Sequence, residues 1–199
     1  AGNEGAWQYQ LTGSNAPSEG LEDLVRGCQE RGIPTAFWNK EDPPHFEDFL
    51  DTARLFDVVF TTDSDVIPKY VEKLGHNNVF TLPFAAQPKI HNPIKNGSWD
   101  SRKDMAFAGT YFAHKFQSRR EQMDLLLGAA EEISSEYGRS FDIFSRHYGK
   151  DHKYQFPGVL KQHVIGSLPY AQILSAYKDY KVFLNVNSVT SSPTMCARR

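Results

Sequence analysis

The sequence predicts an α/β protein built from two Rossmann-like domains, each with a parallel sheet. Short apolar runs that suit buried strands alternate with stretches whose apolar residues recur at helical spacing. This alternation occurs twice, and a segment rich in proline and asparagine separates the two series. Because alternating strands and helices form parallel sheets covered by helices, each series predicts one domain.

The first series contains four predicted strands and three predicted helices. We expect strands at residues 7–11, 33–38, 57–62 and 78–82, and the third is the clearest because β-branched and aromatic residues fill it. Helices are predicted around residues 21–28, 46–53 and 66–74. Gly75 is expected to end the last helix, and Ser64 or Asp65 to cap its start.

The second series begins after a predicted linker. Composition places a first domain at residues 1–90, the linker at 91–103 and a second domain at 104–199. We expect strands at 105–108, 141–144, 163–165 and 181–186, and helices at 115–136 and 170–180. The longer helix should direct six apolar side chains inward: Phe116, Met123, Leu126, Leu127, Ala130 and Ile133.

Composition argues against several classes of function. The 199 residues carry a net charge of -2, so no basic field is available to bind nucleic acid or an acidic membrane. No apolar run approaches the ~18 residues of a transmembrane helix, and the first residues do not form a signal peptide. Cys28 and Cys196 lack metal-ligand spacing, which favours free thiols. We therefore expect a cytoplasmic protein without a nucleic-acid partner.

The loop after the first strand of the second series is the main candidate for ligand binding, because ligands of open parallel sheets bind at strand carboxyl ends. Gly109 and Thr110 follow that strand, and the next helix directs its positive end to the same place, which suits a diphosphate. Lys115 at the helix start could add a charge, as could Arg119 and, after the next strand, Arg146. A single glycine is not a fingerprint, so a plain turn with a solvated lysine is the alternative.

Two further loops carry candidate side chains. Asn187 and Ser188 belong to a polar loop after an apolar strand, which could hydrogen-bond sugar hydroxyls or form a simple turn. Asp42, Glu41 and His45, around a Pro-Pro corner, are candidates for a general base, with Asp42 and His45 preferred and an ordinary turn as the alternative.

A pair of aspartates in the first series permits two interpretations. Asp63 and Asp65 follow a strand, where such a pair can bind a metal and the diphosphate of a nucleotide sugar. They also lie where a helix needs a cap, which is the interpretation we favour. The seven histidines show no pair at metal-ligand spacing, so no metal is expected.

Five segments, in this order, resemble CgeB-like glycosyltransferases, the spore maturation protein family. The likeness covers roughly residues 20–199. The segments are Ile33–Trp38 with Glu41–Pro43, Phe56–Thr62, Leu82–Ala86, Phe107–Tyr111 with Lys115 and Arg119, and Tyr177–Asn187 with Met195–Arg199.

The resemblance implies a GT-B enzyme that moves a sugar from a nucleotide-sugar donor to an acceptor hydroxyl, with no metal or cofactor. Gly109 and Thr110 would lie near the donor diphosphate, with Lys115 as a phosphate partner. The loop Gly166-Ser167-Leu168 would hold the base. Related enzymes often carry arginine where this chain has Thr110, so Arg119 or Arg198 would supply that charge.

Both domains are expected to be incomplete. The chain ends in what resembles the first turn of a helix, which predicts a fragment that binds nucleotide poorly and is inactive by itself. The alternative function is a non-catalytic pair of Rossmann-like domains that binds a sugar or a nucleotide.

Overall fold

The chain forms two compact units, each with its own parallel sheet. A computed structural model describes residues 9–89, 91–187, 189 and 191–194. The first unit extends to Ala85 and also includes the segment that starts at Ser191, whereas the second unit begins at Ala86. The predicted α/β class with two parallel sheets is therefore confirmed.

The first unit contains a sheet of three parallel strands. These are β1 (Ala36–Asn39), β2 (Val58–Thr61) and β3 (Val79–Thr81), in the order β1-β2-β3. They confirm three of the four predicted strands. The strand predicted at residues 7–11 is wrong over its described part, because residues 9–11 form a turn and Tyr9 has a φ of 64°. Its first two residues lie outside the described ranges.

Three helices accompany this sheet: α1 (Glu19–Gln29), α2 (Phe46–Ala53) and α3 (Ile67–Leu74). Gly75 ends α3 as predicted, since its left-handed backbone (φ 75°) lets its N–H bond to the carbonyl of Val71. The predicted cap is wrong in detail. A short 3₁₀ turn, Ser64–Val66, precedes α3, and the Asp63 side chain accepts the N–H of Asp65 to cap it.

The apolar core of the first unit lies on one face of its sheet. Alternation along the strands directs one set of side chains against α2 and α3. On the opposite face, Trp38 is 38% and Phe80 is 52% exposed. The buried core residues are Phe37, Phe46, Leu50, Ala53, Val59, Tyr70 and Val79.

The second unit contains four parallel strands, all of which the sequence predicts. They are β4 (Lys103–Gly109), β5 (Phe141–Ser145), β6 (Val164–Gly166) and β7 (Tyr180–Leu184), in the order β6-β5-β4-β7. Because the strands are parallel, their carboxyl ends meet at one edge. Of the predicted linker, residues 91–103, residues 91–102 contain no helix or strand, whereas Lys103 already begins β4.

Two helices of the second unit, α4 (Gln117–Tyr137) and α5 (Tyr170–Ala176), follow β4 and β6. Buried clusters lie on both faces of the sheet: Met123, Leu127 and Ala130 of α4 belong to one, and Ile173 of α5 to the other. Three expectations are corrected. Phe116 and Ile133 are 47% and 43% exposed, not inward, and Tyr180 starts β7 instead of ending a helix. No helix within the described residues has the length and apolar character to cross a bilayer.

Candidate functional site

Two loops meet at the carboxyl edge of the second sheet. We call them the edge loops, residues 110–116 after β4 and 146–155 after β5. Their strands end side by side, with Gly109 opposite Ser145. The N–H of Arg146 donates to the carbonyl of Gly109 at 2.9 Å. The N–H of Ala113 donates to the carbonyl of Lys153 at 3.0 Å. Residues far apart in sequence therefore share one surface.

Positive charge concentrates at this edge. Residues 110–121 and 146–155, which comprise the edge loops and the first turn of α4, together contain six Lys and Arg side chains but two carboxylates, whereas the whole chain has a net charge of -2. Such a local excess attracts anions. The cations are Lys115, Arg119, Arg120, Arg146, Lys150 and Lys153.

The start of α4 adds to the positive character. Its N-cap residue, Phe116, makes no side-chain cap, and its first turn contains no acidic residue. Basic residues at this end are repelled by the positive pole of the helix dipole, and a bound anion would relieve that repulsion. One of them, Arg120, donates to the carbonyls of Phe112 and Lys115 at 3.3 and 2.9 Å. The helix begins at Gln117, so Lys115 lies in the loop and not in the helix, contrary to the sequence prediction.

Gly109 has a packing reason to be glycine. A Cβ there would lie 2.7 Å from Cζ of Phe107, whose ring is 2% exposed. The ring therefore occupies the space of a side chain. The turn itself is buried, with Thr110 only 6% exposed. From the sequence, the glycine was expected because it lets a ligand come close to the backbone. The structure gives a different reason, because the ring of Phe107 leaves no room for a side chain.

Aromatic rings join the edge loops, a feature that the sequence analysis missed. Phe112 packs edge-on against Tyr154 with ring centroids 5.8 Å apart, and His147 stacks on Tyr154 at 4.4 Å. The pKa of His147 is lowered, first by burial and then by the positive charges of Lys150 and Arg146. The sequence signal that could have predicted these ring contacts is the high aromatic content of residues 111–116.

The remaining predicted donor and sugar residues have diverse positions. Gly166 ends β6 beside Phe144 at the same edge, and Ser167 is exposed. Leu168 packs against the buried cluster that includes Ile173, so its side chain contributes to the core. The carbonyl of Asn187 accepts a weak hydrogen bond from Gln122 at 3.4 Å. Ser188 and Arg198 lie outside the described residues.

Asp42, the first predicted base, is buried in the first unit. It has no exposed surface, and its Oδ1 accepts from Nδ2 of Asn39 at 2.7 Å. The hydroxyl of Tyr70 lies 3.1 Å from Oδ2 and also accepts from Asn39 at 3.0 Å. Burial raises the pKa of Asp42 to about 6, against hydrogen bonds from Thr61 and Tyr70 that lower it. This carboxylate holds its loop in place and does not face solvent.

His45, the second predicted base, is accessible. Its side chain is 45% exposed, and its Nδ1 lies 2.7 Å from Oδ2 of Asp48. A carboxylate on one ring nitrogen fixes the tautomer and leaves the other nitrogen to exchange a proton. Asp48 was missed, although its spacing of three residues from His45 was a readable signal. Of the two candidates, His45 has the geometry of a base.

The Asp63–Asp65 pair acts as a cap in this structure. Asp63 is 3% exposed and its Oδ1 accepts the N–H of Asp65 at 2.9 Å. The hydroxyl of Thr194 lies alongside, where it donates to the carbonyl of Thr62 and accepts from the N–H of Ser64. Among the described residues no group of three His, Cys, Asp or Glu side chains could hold a metal ion.

Comparison with protein-family models and with curated proteins does not assign the chain to a family. No protein-family model matches the chain, and no curated protein is significantly similar to it. Two sets of described residues, one in each unit, have the chemical character of a candidate site. The edge loops of the second unit offer a positive surface for an anion, and His45 with Asp48 in the first unit offers a proton acceptor.

Proposed function

We propose that this protein is a CgeB-like glycosyltransferase of GT-B type, which transfers a sugar from a nucleotide-sugar donor to an acceptor hydroxyl without a metal ion. The observation that carries the proposal is the cationic surface of the edge loops in the second unit. It lies at the carboxyl ends of β4 and β5, where open parallel sheets bind ligands. Both the order of motifs and the α/β fold support it.

The edge loops would bind the diphosphate of the donor. Transfer leaves a nucleoside diphosphate with increased negative charge, and fixed positive groups lower the energy of that state. Lys115 supplies a mobile ammonium, and Arg146 adds a guanidinium after the neighbouring strand. The start of α4, where Phe116 makes no side-chain cap, contributes partial positive charge in the same unit.

The first unit would supply the acid-base chemistry. In this proposal, His45 accepts the proton of the acceptor hydroxyl while Asp48 stabilises the imidazolium. Asp42 acts as a positioning residue, because its bonds to Asn39 and Tyr70 fix the loop that leads to His45. The donor is a substrate, so this scheme requires no bound cofactor.

The proposal is tested by titrating the 199-residue chain with UDP, GDP and glucose in a calorimeter. We expect a nucleoside diphosphate to bind with a dissociation constant of about 1 mM or tighter. Lys115→Ala should weaken binding about ten-fold, because it removes a charge-assisted hydrogen bond. Lys161→Ala is the matched control, since Lys161 is an exposed lysine of the same unit outside the edge loops.

Two outcomes separate the transferase from the non-catalytic alternative. Binding of glucose without binding of either nucleotide would contradict the proposal and favour a sugar-binding module. Binding of UDP or GDP without release of nucleotide from UDP-glucose or GDP-mannose would support donor binding, which a nucleotide-binding module and an inactive transferase fragment share. Nucleotide release that falls in His45→Gln, while UDP binding stays intact, would support the transferase.

A further inference from the structure

Lys115 lies against two aromatic rings of its own loop. Its Nζ is 5.1 Å from the ring centroid of Phe112 and 4.9 Å from that of Phe116. The two rings meet edge to face, with centroids 5.1 Å apart and planes at 87°. An ammonium within about 6 Å of a ring centroid is attracted by the ring quadrupole. Two rings therefore hold this cation at once.

Phe116 makes these contacts from an unfavourable backbone conformation. Its φ of 57° and ψ of 58° are left-handed, a region that suits glycine or asparagine and is rarely adopted by bulky residues. Local strain of this kind persists where the surrounding structure compensates for it, often at binding sites. Here the conformation brings the ring to Phe112 and Lys115, although its side chain is 47% exposed.

Phe112 is itself held by the second edge loop. Its ring packs against Tyr154 at 5.8 Å, and its carbonyl accepts from the guanidinium of Arg120. The N–H of the next residue, Ala113, bonds to the carbonyl of Lys153. Phe112 is thus held both at its ring and at its backbone, so its ring can restrict a flexible neighbour.

We propose that Phe112 and Phe116 are positioning residues that hold the Lys115 ammonium ready for the diphosphate of the ligand. This inference rests on the proposed function and assigns a role to two residues that the function did not use. Lysine has a long, flexible side chain, so a free lysine loses much conformational entropy when it binds an anion. A lysine already held by ring faces loses less, and it keeps its charge and three N–H donors.

The experiment is a double-mutant cycle on binding of UDP and of inorganic pyrophosphate. Phe116→Gly removes the ring while fitting the left-handed backbone, and Lys115→Met removes the charge at similar length. With Lys115 present, Phe116→Gly should weaken binding of both ligands about two- to five-fold. In the Lys115→Met background the same substitution should change binding less than about 1.5-fold, because no cation remains for the ring to hold. Phe116→Tyr, which keeps a ring, should bind like the wild type.

If Phe116→Gly fails to fold, a variant of the other ring provides the same test. Phe112→Leu should show the same dependence on Lys115, and thermal unfolding of each variant without ligand checks its stability. Equal weakening by Phe116→Gly with and without Lys115 would overturn the inference and indicate a purely structural role for the ring, leaving the proposed function intact. If the wild type bound neither UDP nor pyrophosphate, the function and the inference would both be wrong.

Discussion

Asp42 permits a quantitative prediction about stability and pH. Its carboxyl group is completely buried, and burial raises its pKa from 3.8 to about 6. Between these two values the folded chain binds a proton that the unfolded chain releases. The stabilisation due to this proton is therefore fully present below pH 3.8 and is lost as the pH rises through 6.

The size of the effect follows from the two pKa values. The difference between the two pKa values corresponds to about 3 kcal/mol in the free energy of unfolding, and about 2 kcal/mol of this falls between pH 4 and pH 7. Asp42→Asn abolishes this titration. Relative to the wild type, the variant should therefore gain about 2 kcal/mol as the pH rises from 4 to 7. Any constant cost of altered bonds to Asn39 and Tyr70 shifts its curve without changing the slope.

Urea unfolding at intervals from pH 4 to pH 7 measures the difference. Tryptophan fluorescence in a Trp7→Phe/Trp99→Phe background follows the first unit, because Trp38, the remaining one of the three tryptophans, belongs to that unit. Asp51→Asn is the matched control, because it removes a carboxylate of the same unit whose side chain is 79% exposed. Parallel curves for Asp42→Asn and the wild type would show that the carboxyl group titrates normally and that our account of its burial is wrong.

Three further predictions concern single side chains. Gly109→Ala should destabilise the second unit by about 1–3 kcal/mol in urea unfolding, because its Cβ meets a buried ring at 2.7 Å. Gly128→Ala in α4, where a Cβ meets nothing within 4 Å, should instead stabilise by about 0.5–1 kcal/mol, and equal effects would refute the packing explanation. Ser145→Ala should stabilise by about 1 kcal/mol, since the buried hydroxyl has no hydrogen-bond partner among the described residues; a loss of stability would reveal one. If the chain is a transferase, His45→Gln should slow nucleotide release at least 100-fold and Asp51→Asn should not, whereas equal rates would exclude His45 as the base.

The regular elements were largely predictable because their signals are local. The run from Asp57 to Thr62 is rich in β-branched and aromatic residues, and it forms β2. Gly75 ends α3 because the left-handed backbone of a helix terminus favours glycine. Tyr180 was misplaced because its pairing partner in the sheet is Lys103, which is far away in the chain. Local periodicity carries no information about that pairing.

The candidate site was predictable only in part. The sequence predicted the positions of Gly109 and Arg146 at the ends of β4 and β5, because the pattern reveals both strands; their role in binding stays a prediction. The contacts of Lys115 with the rings of Phe112 and Phe116 could not be predicted, since ring contacts depend on the path of the loop. Burial of Asp42 was also unpredicted, because it requires Tyr70, 28 residues later, to pack against it.

The sequence alone determined the α/β class, the two series of parallel strands and the loops at their carboxyl ends, because periodicity and turn residues act over a few neighbouring positions. Only the tertiary structure decided which side chains of those loops meet. It joined residues 110–116 to 146–155, buried Asp42 and left His45 exposed beside Asp48. Contacts between distant segments arise from the packing of whole elements, and that packing is a property of the folded chain and not of any short stretch of it.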